Sequence, residues 1–452
     1  MKRLKSIIKY IIVFVILIIV YFVSLLLTSL IPSSAIKENV TKSSETLVML
    51  GEKKAYELGY TKEEAFTFTD ALMVNTAFSI DSSHPLESML LARRSYIPGQ
   101  TMTVYEESKD VLSSSMYMDS SGSYQTKELY GLMHNDGNTE GFEYPRYWHG
   151  YLAILRPLLL LFDYNTIRWL SCICLVILSI ALAVILVKKI NKITGFIFLA
   201  SLLIVNIFIA GLCLNEATTY YIAIIASIVL ALWYKKIKNN IGLLFFIVGS
   251  VTSFLDLFTT PLITIGIPLV IYFLFRQKED DVKISKQLIE LIQLSVFWGL
   301  GYGLTWFAKW AITDLILHKG IILEAIEQIL FRTVSRTDRL LTDKELQKIY
   351  IDSYFDNYIL ISIVCLTVLY ITISFIKDRN KKVKINVGNI LPYIIIALYP
   401  TIWFFVVKQH TLKHIFFTKR LIVIPIMAFQ IIIATLLGYY AKEKKLREIK
   451  NE

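Results

Sequence analysis

Carboxylates, imidazoles and cations recur in this chain at spacings that could let them act together. Asp70 sits in FTDALMVNTAF. Asp81, His84 and Glu87 fall within DSSHPLE, with Arg93 and Arg94 just beyond. Glu143, Arg146 and His149 are spaced by three in GFEYPRYWHG. Asp256 interrupts the apolar SFLDLFTTP, Lys309 lies in TWFAKW, and His410, His414 and Arg420 cluster near the end. A carboxylate can move a proton as a general acid or base, and Lys, Arg and His can hold an anionic group. Asp70, Asp81 and Glu143 are therefore the candidate catalytic acids. Arg146, His149, Asp256, Lys309, His410, His414 and Arg420 are the candidate substrate contacts. Each has a plainer reading. Asp70 can cap a helix or carry surface charge, and Asp81 can cap the turn it opens. Lys309 can snorkel, Asp256 can cap a helix end, and Arg420 can anchor a span at the interface.

These groups are delivered by apolar segments. Runs of about sixteen to twenty-four apolar residues recur along the chain, and hydrophobic residues make up 55% of it. Crossing about 30 Å of hydrocarbon takes roughly 20 helical residues. The pattern predicts about ten spans, near 7–30, 165–187, 194–212, 215–234, 241–256, 259–275, 289–311, 357–376, 390–407 and 418–440. Basic clusters fall at alternate ends: MKRLKSIIK, KKINK, KKIKNN, RQKEDDVKISK, KDRNKKVK and AKEKKLREIK hold about half of the 47 Lys and Arg. The positive-inside rule puts them, and both termini, in the cytoplasm. The expectation is an all-α polytopic membrane protein of the cell membrane. Residues 1–30 form the first transmembrane helix, and 31–164 an extracellular loop that is partly helical. Residues 165–440 form the bundle with an outer loop at 312–356, and 441–452 a cytoplasmic tail. YWHGYLAILRPLLLLF is too short to span. It is expected to lie against the outer interface, anchored by Tyr147, Trp148 and Tyr151.

Other classes recede. The net charge of +11 sits in short clusters beside apolar runs, not in a stripe suited to nucleic acid. Cys172, Cys174, Cys213 and Cys365 lie in or beside apolar runs and read as small hydrophobes. No GxxxxGK[ST] or strand-borne GxGxxG is present, which argues against nucleotide-driven work. No cofactor is indicated. His410 and His414 are spaced as a metal pair can be, but without HExxH or a third ligand, so a divalent ion stays open rather than indicated. A transporter would favour an internal repeat and broken helices at mid-membrane, and no repeat is visible.

The phrases FTDALMVNTAF, YPRYWHGYLAILRPLL, SFLDLFTTPLITIG, TWFAKW and KHIFFTKR, in that order, give the chain a layout that resembles the polytopic C-type-fold glycosyltransferases. It resembles in particular Gram-positive membrane proteins near that group. The resemblance covers nearly the whole chain and implies a sugar donor on a polyprenyl phosphate, with an envelope glycan or lipid as acceptor. It implies that Asp70 or Asp81 acts as base, and that His410, His414, Arg420 and Lys309 face the donor phosphate. The sequence departs from that group in its first outer acids, Glu38 and Glu45, which lie in a polar stretch. A non-catalytic partner in envelope assembly and a lipid or glycan transporter are the alternatives.

Overall fold

The apolar runs fold as helices, because backbone N–H and C=O groups in hydrocarbon can pair only within their own segment. The computed structural model describes residues 2–51, 67–98, 124–279, 283–333, 389–407, 410–411 and 414–436. The expected span at 357–376, the tail at 441–452, Cys365 and the outer loop beyond 333 lie outside the described residues. The chain begins with α1 (Lys2–Ser29). A capping unit follows: α2 (Ser33–Gly51), α3 (Phe68–Phe78), α4 (Pro85–Leu91), β1 (Arg94–Tyr96), α5 (Tyr124–His134), β2 (Glu140–Phe142) and α6 (Leu152–Leu159). The bundle then runs through α7 (Tyr164–Lys189), α8 (Lys192–Ile204), α9 (Ile207–Leu212), α10 (Leu214–Ile237), α11 (Ile241–Leu255), α12 (Ile263–Arg276) and α13 (Ile284–Leu317). α14 (Ile321–Thr333), α15 (Leu391–Ala397), α16 (Tyr399–Val406) and α17 (Val423–Leu436) complete it.

Among the described residues, five apolar helical stretches are long enough to cross a membrane, so the chain is a multi-pass membrane protein. The longest, Leu214–Leu255, turns back at Lys238–Asn240, which brings Thr219 on α10 within 2.7 Å of Thr260. Sequence signals set several boundaries. Asp163 caps α7 by accepting from the Thr166 amide, and Asn191 caps α8 through Thr194. Among the described residues, α11 and α13 form the most extensive helix pair. A β-carbon on Gly249 would lie 2.0 Å from the Trp298 carbonyl, and one on Gly301 2.0 Å from the Phe246 carbonyl. Only glycine permits that crossing.

The four basic clusters that fall on described residues meet at one end of the bundle. Lys9 bonds Asn240, Lys278 bonds the Lys189 carbonyl, and Lys238 pairs with Glu279. The capping unit closes the opposite end. Its core joins α1 and α6 through Tyr21, Leu25, Trp148 and Leu155.

The fold departs from the sequence expectation in four places. The span expected at 194–212 is two helices, broken where Asn206 takes a left-handed conformation (φ 53°) and caps α9. The one expected at 390–407 is also two short helices. The loop contains an antiparallel ribbon pairing Arg94 with Phe142. Its strands of three residues are too short to show a period of two. Finally, Tyr147, Trp148 and Tyr151 do not reach a lipid interface: each is buried inside the protein. Arg156, in the same segment, is also buried. It donates to the Thr28, Ala77 and Ile31 carbonyls, holding α6 on the end of α1.

Candidate functional site

The segment YPRYWHG enters the closed end of the bundle because its polar backbone finds partners there. The Arg146 carbonyl accepts from the indoles of both Trp306 (2.7 Å) and Trp310 (2.9 Å). Trp148 donates to the Thr305 carbonyl at 2.7 Å. Gly150 donates to the Phe254 carbonyl, with no room for a side chain. Trp306 and Trp310 lie one turn apart on α13, so both can reach one carbonyl. This anchoring forms a cavity of about 220 Å³ walled by Tyr147, Phe258, Trp306 and Trp310, with Arg146 and Gln328 as its polar lining. Arg146 stacks over Tyr144 and pairs with Glu324 of α14. Its Nε has no hydrogen-bond partner among the described residues.

The remaining wall is set by SFLDLFTTP. Asp256 closes a tight turn by accepting the Thr259 amide and hydroxyl, so its carboxylate is spent on the backbone. The turn holds Phe258 at φ 65°, a costly conformation for an aromatic residue. Phe258 packs on Trp306 and Trp403. His410 places Nε2 2.8 Å from the Phe258 carbonyl and lies tilted against that ring, with His414 beside it at 4.8 Å. Among the described residues, no group of three His, Cys, Asp or Glu is placed to hold a metal ion.

Behind the cavity lie His149 and Lys309. His149 is buried at φ 54°. Its Nε2 lies 2.8 Å from the Tyr144 carbonyl and its Nδ1 3.0 Å from the Tyr151 hydroxyl. Those partners assign the proton to Nε2. Burial pushes the imidazole down to about 3, so it is neutral at ordinary pH. Lys309 does not snorkel. It is fully buried and donates to the Leu90 carbonyl at 2.7 Å, at the carbonyl end of α4, with the Trp148 ring 5.9 Å away.

The three candidate acids occupy different surroundings. Glu143 is half-buried and bridges Lys319 (2.7 Å) and Arg93 (3.0 Å). Burial works to raise its carboxyl, but the two cations outweigh that and hold it below the usual range. It is three residues from Arg146. Asp81 is exposed in its own turn, bonded to Ser83 and His84, which push its carboxyl down to about 2. Asp70 is buried at the start of α3. It accepts from the Tyr164 hydroxyl (2.7 Å) and the amides of Leu214 (2.9 Å) and Asn215 (3.1 Å). It therefore caps α10 from another element, and burial raises its carboxyl against those donors. Arg420 joins the same neighbourhood: it pairs with Glu216 and donates to the Val205 carbonyl.

The structure thus gathers Arg146, Asp256 and His410, with His414 beside His410, around one aromatic cavity, with His149 and Lys309 behind it. Asp70 and Arg420 belong to a separate buried charge cluster, and Asp81 stands in an exposed turn. Glu324 and Arg168 were not singled out from sequence. Glu324 lies in a segment without a motif, although ILEAIEQIL has helical periodicity. Arg168 sits within an apolar span near Asp70. No family model, no curated protein and no solved structure matches this chain.

Proposed function

We propose that this protein is a membrane glycosyltransferase that moves a sugar from a polyprenyl-phosphate donor to a cell-envelope glycan or lipid acceptor. The observation that carries the reading is the aromatic cavity with Arg146 in its wall. Aromatic faces suit a sugar ring or an isoprenoid, and the Arg146 guanidinium, whose buried Nε has no partner among the described residues, suits a phosphate oxygen. Glu143, ionised between Lys319 and Arg93, is the acid best placed to accept a proton. It is three residues from Arg146, whereas Asp70 caps α10 in a separate buried cluster and Asp81 stands in its own exposed turn. In this scheme the acceptor oxygen attacks the anomeric carbon and its proton passes to Glu143. The bond to the phosphate oxygen breaks with its electron pair, and the configuration inverts. Exclusion of water strengthens each charge interaction.

The topology that fits is ten spans with both termini cytoplasmic and the capping unit outside. The gathering of Lys9, Lys189, Lys238 and Lys278 at one end supports it. A second reading, a non-catalytic partner in envelope assembly, draws support from Lys309, His149 and Arg420. These spend their polar groups on protein partners.

Photoaffinity labelling tests the site. A benzophenone-bearing polyprenyl-phosphate hexose should label peptides carrying Tyr147 and Trp306, and unlabelled polyprenyl phosphate should compete. Labelling spread evenly over lipid-facing helices would count against the assignment.

A further inference from the structure

α14 is apolar on two opposite sides. Ile321 and Ala325 pack inward on Trp310, and Gln328 lines the cavity with Ala325. Leu323, Ile326 and Leu330, three and four residues apart, form a second row on the other side, with Leu323 70% exposed. Glu324 and Glu327 lie in a narrow strip between the two rows. A helix that packs only on its own protein should present charge outward; this one presents leucine and isoleucine.

Its placement is fixed. Asp314, on the last turn of α13, accepts the amides of Ile321 (2.5 Å) and Ile322 (2.9 Å). His318 and Gly320, both left-handed, make the turn between the helices. Lys319 is held by Glu143 and Glu324 holds Arg146. α14 therefore starts where the apolar outer row of α13 ends. That row runs through Ile292, Val296, Leu300 and Phe307, and Leu315, 76% exposed, carries it to the junction. α13 is long and apolar enough to span, so its exposed row faces lipid.

We infer that α14 is an interfacial helix whose Leu323, Ile326 and Leu330 row lies in the phospholipid leaflet at the closed end of the bundle. The occupant of this face is the leaflet because the exposed apolar surface of a membrane-spanning helix ends at Leu315 and Ile316 and resumes at Leu323, with only the exposed turn His318–Gly320 between them. Glu327, exposed beside that row, is then left for headgroups and water, while Glu324 stays on Arg146. The contact has a consequence for the cavity, since the same helix supplies one wall and the partner of Arg146. The inference does not depend on the transfer reaction.

Photo-crosslinking in nanodiscs of palmitoyl-oleoyl-phosphatidylcholine tests it, with p-benzoyl-phenylalanine placed singly at Leu323, Ile326 or Glu327. All three side chains point away from the core, so the fold should tolerate them. The expected result is a phospholipid adduct at 323 and 326, several-fold above that at 327. A protein–protein adduct at 326 would assign the face to a second copy or another protein. Equal lipid adduct at 326 and 327 would place the helix away from the leaflet. Either outcome overturns the inference.

Discussion

Asp70→Asn separates a structural acid from a catalytic one. In the native protein one carboxylate oxygen accepts from the Tyr164 hydroxyl and the Leu214 amide, and the other accepts from the Asn215 amide. Asparagine has one acceptor oxygen. Whichever way it turns, its NH₂ faces at least one donor that has lost its partner. Leaving one buried donor unsatisfied costs about 1–3 kcal/mol. Part of any further loss is returned, because asparagine has no charge to desolvate. The variant should therefore unfold about 1–3 kcal/mol more easily in mixed-micelle titrations. A cycle with Tyr164→Phe should show coupling above about 0.5 kcal/mol, since the two side chains touch. Folded Asp70→Asn should keep transfer activity within a few-fold of the parent. A variant of unchanged stability whose activity falls by about 10²–10⁴ would refute this reasoning and make Asp70 the base.

His149 should make stability pH-dependent. Burial holds its folded pKa near 3, so the unfolded chain binds a proton below about pH 6.5 and the folded chain does not. Stability should be flat above that pH and should fall by about 2 kcal/mol by pH 5, and His149→Asn should flatten the unfolding profile. Gly301→Val should weaken the α11–α13 pair by about 1–3 kcal/mol or prevent folding, because its β-carbon meets the Phe246 carbonyl. Gly299→Ala, with nothing within 4 Å, should be near neutral in the same assay. Arg420→Ala should leave buried Glu216 unpaired and cost about 3–5 kcal/mol, and adding Glu216→Gln should recover much of the yield of folded protein.

Much of the helical frame was legible because hydrocarbon forces a simple code. Length and apolarity placed the stretches around α1, α7, α10 and α13. Charge alternation anticipated the gathering of lysines at one end. The break at Asn206 was not legible, since it depends on one left-handed residue within an apolar run. The candidate site was partly legible. Asp256 was marked by its apolar flanks, and Arg146, Lys309 and His410 by being charged or imidazole groups near the ends of apolar runs, and they do lie near one another's neighbours. Their roles were not readable. Whether a buried Lys meets a carbonyl or a ligand is decided by tertiary contacts, as the Leu90 carbonyl decides for Lys309. Trp306 and Trp310 flank Lys309 in TWFAKW, but their shared bond to the Arg146 carbonyl depends on a loop far away in sequence. Glu324 carried no signal beyond a helical period.

The central claim is tested most directly by turnover. Purified protein in liposomes would be given radiolabelled polyprenyl-phosphate hexoses with envelope glycan fragments, and release of polyprenyl phosphate would be measured. The parent should release it only when acceptor is present. Glu143→Gln should be slower by about 10²–10⁴ at saturating donor, and Arg146→Ala should raise the donor concentration needed. Glu143→Gln turning over at the parental rate would contradict the account of the base. No release by well-folded parent across the donor panel would contradict the transferase and leave the non-catalytic partner.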